Sequence, residues 1–275
     1  MHELTELNMD RARSLFLKIE EFDLSITSVF EGHYFGRIFV DDVFNPKSGF
    51  LELGKRTLIL AGEENNQFFN SFVEEQIFSR ILPVRMKDYK FKEFYIIFEN
   101  NWRDTIPKIY PKSRIHTRKY YTFKELVIPN WKIKLPDDYS INLVDKAFLE
   151  KDIEDSSNLL RNWITDLYGS EDNYLSRGIG FCLVYQDKEI ASYNLVNYID
   201  DKRERAEMGI VTKDNFQRKG LSKLLVSACL EYCLKEGIKE IGWHTSSQNI
   251  ASQRTAESVG FVLDRDYDIF QGSYE

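Results

Sequence analysis

The stretch Glu207-Met-Gly-Ile-Val-Thr-Lys-Asp-Asn-Phe-Gln-Arg-Lys-Gly-Leu-Ser222 constrains the fold more than any other part of the chain. It reads as a strand, a tight turn and a helix N-terminus in immediate succession. Side chains shrink at Gly220 and Ser222, and Leu221, Leu224, Leu225, Ala228, Tyr232 and Cys233 then recur at three- and four-residue spacing until Gly237 stops the pattern. The first-turn amides of such a helix have no intrahelical partners, and its dipole adds roughly half a positive charge. A turn placed there can cradle an anion, a pyrophosphate above all. Arg218 and Lys219 put formal positive charge at this point in a chain whose net charge is −7. Neither a P-loop nor a Gly-x-Gly-x-x-Gly dinucleotide fingerprint occurs anywhere in the sequence.

The pattern Gln217-x-x-Gly220-x-Ser222 resembles the Gln/Arg-x-x-Gly-x-Gly/Ala motif of the GNAT-type N-acetyltransferases. Three further features stand in the order that family has: the apolar helical face after the loop, a strand at Lys239–Thr245, and the run Asn249 to Gly260-Phe261, which is similar to the family's Asn-x-x-Ala/Ser…Leu-Gly-Phe ending. The resemblance implies acetyl-coenzyme A as co-substrate, with its pyrophosphate on Gln217, Arg218, Lys219, Gly220, Leu221 and Ser222. It implies an Asn249 contact to the pantetheine arm and central strands that splay, leaving the backbone of Ile210, Val211 and Thr212 to pair with that arm as an added strand. Asn249 is equally an N-cap for the last helix. A narrower similarity to two-lobe bacterial members, antibiotic-modifying ones included, has no diagnostic motif in the first half.

At 275 residues the chain suits two lobes, each able to bury its own core. Its acidic balance argues against nucleic acid and anionic membranes as partners and favours cationic substrates. No apolar run reaches the length of a membrane span, and the first residues lack a secretion signal, so a cytoplasmic location is expected. Cys182, Cys229 and Cys233 form neither a disulfide framework nor a zinc pattern, and His2, His33, His116 and His244 are scattered without ligand spacing. Buried structural thiols and no metal are the expectation.

Periodicity predicts a helix over residues 8–20, strands at Arg37–Asp41, Phe50–Leu53 and Thr57–Ala61 with a Gly54-Lys55 hairpin turn, a helix over Gln67–Arg80, and strands at Glu93–Phe98 and His116–Phe123. Pro129, Trp131 and Pro136 punctuate a polar segment taken as the boundary between lobes. Beyond it come a strand near Tyr139–Leu143, two helical stretches within Lys146–Tyr168, and a hairpin over Gly180–Tyr198 turning at Gln186-Asp187-Lys188. The order matches the α/β (α+β) GNAT, or acyl-CoA N-acyltransferase, fold: a mixed central sheet flanked by helices over 135–275, preceded by a smaller mixed α/β lobe over 1–134. Hairpins Phe50–Leu60 and Phe181–Ala191 echo each other, so the first lobe is either a degenerate copy or a coincidence of common hairpin composition.

Transfer from a thioester to a small-molecule primary amine in a direct ternary complex needs a neutral amine. A free alkyl amine titrates near ~10, so a base or desolvation must take a proton. Glu207, at the start of the central strand where the family places a carboxylate, is the candidate base; the alternative is a solvated carboxylate at a strand end. A backbone N–H at Val211 or a neighbour is the candidate for polarising the thioester carbonyl. The family's Tyr before the final Gly is Ala256 here, which leaves Ser252, Ser258 or water to protonate the departing thiolate, with Ser252 singled out. Trp163, Asp166, Tyr168 and Tyr174 fall where the family shapes its acceptor site, the alternative for the aromatics being core packing on an amphipathic helix, whereas Trp243 and His244 read as packing and edge residues. The competing functions are a non-catalytic coenzyme A-binding module and transfer of a longer acyl chain. Oligomeric state is open, a homodimer included.

Overall fold

The computed structural model of the chain describes residues 1–88, 92–155 and 158–273. They pack as two compact units, one built from Met1–Arg118 with Asp266–Glu275 and the other from Lys119–Arg265.

In the first unit, β1 (His2–Glu3), α1 (Arg13–Glu20) and α2 (Leu24–Phe30) precede β2 (Gly36–Val40), β3 (Ser48–Leu53) and β4 (Thr57–Gly62), an antiparallel meander. The helix expected over Gln67–Arg80 forms as α3 (Gln67–Glu75), opened by the Asn66 side chain accepting from Phe69 N–H, and runs on through a π turn at Gln76–Ile81 into α4 (Leu82–Asp88). This crossover delivers β5 (Glu93–Phe98) parallel to β4. The short α5 (Ile106–Ile109) leads to β6 (Arg114–Phe123), and the returning residues Ile269–Ser273 pair antiparallel with β5. An aromatic core of Phe39, Phe50, Phe69, Phe94, Trp102 and Phe270 lies between the sheet and these helices. Periodicity misses α2 because all seven of its residues are buried, which erases the amphipathic stripe.

The second unit follows the predicted order: β7 (Tyr139–Leu143), α6 (Lys146–Leu149), α7 (Leu159–Tyr168), α8 (Glu171–Arg177), β8 (Gly180–Tyr185), β9 (Glu189–Ile199), β10 (Arg205–Thr212), α9 (Leu221–Lys235), β11 (Glu240–Ser246), α10 (Ile250–Ser258) and β12 (Phe261–Ser273), the last continuing into the first unit. Residues 156–157, inside the span where two helical stretches are expected, lie outside the described residues. Strands β7 to β10 are antiparallel, β11 joins β10 in parallel after the α9 crossover, and β6 lies beside β11. The unpredicted α8 has a local signal, for Ser170 accepts from Asn173 N–H and Glu171 and Asp172 occupy its first turn.

Helix α9 is buried on more than one side, because Val226, Ser227 and Leu230 are as enclosed as the expected face of Leu221, Leu224 and Leu225. The proline-flanked segment contributes Ile128 and Trp131 to the same core, and Trp131 Nε1 donates to Glu231 Oε2 at 2.8 Å. Pro129 and Pro136 thus bracket a turn at Trp131–Lys134 that packs within the second unit. Each fully enclosed leucine contributes about 1.5–3 kcal/mol. The helix stops as expected: Gly237 is left-handed at φ 91°, its N–H donates to Leu234 C=O and Ile238 N–H to Cys233 C=O, the paired bonds of a Schellman end. The cysteines are free and buried. Burial pushes the Cys182 thiol well up, and a hydrogen bond with Cys233, then burial, does the same to Cys229, so these thiols stay protonated and inert.

Gly260 turns α10 into β12 at φ 107°, and a methyl group there would run into the carbonyl oxygen of Glu125. Gly260→Ala is therefore expected to cost about 2–4 kcal/mol, strain and clash together, read as a drop in the denaturant midpoint without a change in slope.

Candidate functional site

Strands β10 and β11 begin as parallel partners, with Arg205 opposite Glu240, Ala206 opposite Ile241 and Glu207 opposite Gly242. There the described ladder ends, although β10 continues to Thr212 and β11 to Ser246. On its other side β10 remains paired with β9 throughout, Ile210 opposite Asn194, Val211 opposite Tyr193 and Thr212 opposite Ser192. Lys213 N–H donates to Ala191 C=O at 3.0 Å, and the two-residue repeat of an antiparallel ladder then turns the backbones of Val211 and Gly209 toward β9 as well. Ser192 Oγ donates to Val211 C=O and Asn194 Nδ2 to Gly209 C=O, consistent with that parity. Of the three residues expected to present main-chain groups to a ligand, Ile210 and Thr212 therefore face the parted edge. Val211 offers its half-exposed side chain to the opposite face of the sheet instead.

The loop after β10 has the geometry of an anion cradle. Arg218 is left-handed at φ 61° and Gly220 at φ 71°, two residues apart, an alternation that turns successive N–H groups toward one point. Gly220 is the N-cap of α9, and no side chain caps the helix. Gln217 to Gly220 are exposed, Ser222 is half-buried and Leu221 is anchored in the core. Gln217 braces the loop rather than filling it: its Nε2 donates to Thr212 C=O at 3.1 Å and to Asp214 Oδ1 at 2.9 Å. Lys219 Nζ sits 5.1 Å from the Phe216 ring centroid, a cation–π contact that holds its charge beside the turn.

Glu207 faces away from α9. Ala206 and Met208 enter the core beneath that helix, so strand alternation sends Glu207 and Gly209 to the other face, shared with Gly242 and His244 of β11. Glu207 as a residue is only 5% exposed, not the solvated strand-end group that was its alternative. His244 Nε2 lies 3.4 Å from Glu207 Oε1, and the imidazole stacks on Tyr120 of β6 at 4.7 Å between centroids. Further along this face the Trp163 indole approaches Gly209 so closely that a methyl group on the glycine would come within 2.9 Å of it. A bulge in β9 makes Asn197 the extra residue between the partners of Glu207 and Met208. Its Oδ1 is a buried acceptor with no hydrogen-bond partner among the described residues, which a ligand N–H would satisfy.

Asn249 and Ser252 come together at the start of α10. Asn249 Oδ1 accepts from Ser252 N–H at 3.1 Å, the N-cap role, which leaves its amide Nδ2 for other partners. Ser252 Oγ accepts from Trp243 Nε1 at 3.0 Å, so its own hydroxyl proton is not used in that bond. Tyr168 and Tyr174, expected on the acceptor wall, are core residues: their hydroxyls donate to Val196 C=O and Val144 C=O, and burial holds both phenols well above the usual range. Trp163 does stand on the face that Glu207 shares, T-stacked on Tyr193. His244 was read from the sequence as a packing or edge residue, and Tyr120 and Asn197 were not singled out. Only the parity of Gly242 and His244 on one strand could have pointed to the histidine.

The family model described as GNAT acetyltransferase matches residues 14–270 of the chain. A protein of Bacillus subtilis (strain 168), the uncharacterized N-acetyltransferase YdfB, is 22% identical over 240 residues, covering 86% of this chain and 85% of its own length. Among solved structures, a GCN5-related N-acetyltransferase-like protein from Streptococcus suis is similar at a TM-score of 0.70 and 19% identity, over 96% of this chain and 98% of the other. A GCN5-related N-acetyltransferase from Sphaerobacter thermophilus aligns at a TM-score of 0.64 and 10% identity, over 100% and 95%. Identities this low speak for the fold, while the family match covers both units. The chain belongs to the GNAT acetyltransferase family and is an acyltransferase.

Proposed function

We propose that this chain moves an acetyl group from acetyl-coenzyme A to a primary amine of a small molecule within a ternary complex. One observation carries the proposal: β10 and β11 part directly after Glu207, and the same strand runs on into an uncapped helix N-terminus. Pyrophosphate would sit on the amides of Gln217 to Ser222 with Arg218 and Lys219 alongside, and the pantetheine arm would pair with Ile210 and Thr212 while Val211 lines its path. Asn249 would reach the arm through Nδ2. These assignments bring the thioester to the level of Glu207.

In that arrangement Glu207 takes a proton from the acceptor ammonium, and the neutral nitrogen attacks the thioester carbonyl carbon. Negative charge develops on the carbonyl oxygen opposite the Ile210 N–H, a donor fixed before reaction and therefore free of reorganisation cost. The C–S bond breaks, and Ser252 donates its hydroxyl proton to the departing sulfur, to be resupplied by the second N–H proton or by water. Trp163 and the Asn197 Oδ1 would receive the acceptor, the indole against its cation and the amide oxygen against an N–H. An acidic and aromatic lining of this kind favours amines over neutral alcohols.

Gly220→Ala is expected to weaken coenzyme A binding about tenfold or more, since an L side chain resists φ 71° and would perturb the amide cradle. Calorimetric titration with coenzyme A checks this, and equal affinity of the variant removes the cradle from its assigned role. Glu207→Gln is expected to lower kcat by about 10²- to 10⁴-fold with coenzyme A affinity unchanged, followed as thiol release on a panel of polyamines, amino acids and aminoglycosides.

A further inference from the structure

We infer that His244 is a proton-relaying residue, receiving at Nε2 the proton that Glu207 takes from the acceptor. The inference rests on the assignment of Glu207 as base and goes beyond it. Acetylation of an ammonium by a thioester yields amide, thiol and one surplus proton per turnover, and a carboxylate whose side chain is 7% exposed has little direct access to the water that must carry that proton away. A second titratable group has to stand within reach.

His244 is so placed. Its Nε2 lies 3.4 Å from Glu207 Oε1, and its side chain is 13% exposed against 7% for the carboxylate, so the imidazole is the more solvated end of the pair. Tyr120 stacks on the ring at an interplanar angle of 30° and fixes its plane. Gly242, directly opposite Glu207 in the ladder, keeps the junction clear: a methyl group there would come within 3.0 Å of Glu207 Cγ and 2.8 Å of Tyr120 Cε2. Three strands, β6, β10 and β11, thus each supply one member of an aromatic–imidazole–carboxylate row, with the glycine as its spacer.

The proton count closes. One ammonium N–H bond breaks as the O–H bond forms on Glu207; that O–H bond then breaks as an N–H bond forms at His244 Nε2. The products are a regenerated carboxylate and an imidazolium, an ion pair that offsets the cost of keeping either charge out of water. Nε2 itself is buried, so the imidazolium gives up its other ring proton, at Nδ1, to solvent, and return to the tautomer with Nε2 unprotonated restores the acceptor for the next turnover.

The test uses the full chain with acetyl-coenzyme A and the best amine of the panel. His244→Gln keeps a planar polar side chain without a titratable nitrogen and is expected to lower kcat about tenfold or more, with acceptor KM changing less than about threefold. His244→Ala opens room for a small base, and added imidazole is expected to restore at least part of its lost kcat while leaving wild type and Glu207→Gln unaffected. Wild-type kcat in His244→Gln, or a loss in His244→Ala that imidazole does not relieve, overturns the relay while Glu207→Gln still reports on the base. If Glu207→Gln also runs at the wild-type rate, the base assignment falls and the relay with it.

Discussion

Backbone hydrogen bonding between two parallel strands is the constraint on which the second unit depends, and specifically where it stops. Three residue pairs hold β10 to β11, enough to set Glu207 against Gly242. Beyond them the strands continue without a described mutual ladder. An unpaired main-chain edge is costly when buried and stable when something supplies the missing donors and acceptors. The backbones of Val211 and Gly209 turn toward β9, where Ser192 and Asn194 side chains also bond their carbonyls, and Gln217 occupies the Thr212 carbonyl, which narrows the groups left open on the parted edge.

The same parting decides the electrostatics. A carboxylate among strand side chains would ordinarily be expelled to solvent, but Glu207 is retained at the point where pairing ends, next to an imidazole that can carry the complementary charge. The loop a few residues further on, the proposed anion site, is built by a different means, main-chain amides with basic side chains at their margin. One strand therefore carries a negative side chain at its start and leads to a positive dipole end at its close. That polarity suits a ligand whose reactive end meets a cation and whose remote end is polyphosphate.

Much of this was legible in the sequence because it is local. The turn after β10, the Gly237 and Gly260 stops and the Asn249 cap each depend on residues within a few positions of one another and form as expected, and the apolar stripe of α9 is buried as expected, though not alone. Three things were not legible. Helix α2 has no polar side to reveal its period. The segment around Trp131 reads as a linker from its prolines, yet it covers α9 through a hydrogen bond to Glu231, a contact a hundred residues away in the chain. The row of Tyr120, His244 and Glu207 gathers three strands whose adjacency is a matter of topology, and no spacing rule places β6 beside β11. Tyr168 and Tyr174 resolve to the core alternative, their hydroxyls bonded to backbone carbonyls inside the unit.

The notch at Gly242 bears on how such a protein could diversify. Any larger residue there would push simultaneously on a carboxylate and on a phenol ring, so on the proposed mechanism the position is tied to the chemistry common to every acceptor. Trp163 and Asn197 are under no such lock, being attached to a helix and to a strand irregularity that can shift without disturbing the pair of strands beneath. On the proposed assignment, acceptor preference can therefore drift at the rim of this face while the floor that would handle protons stays fixed, a separation that would let one scaffold serve amines of very different shape.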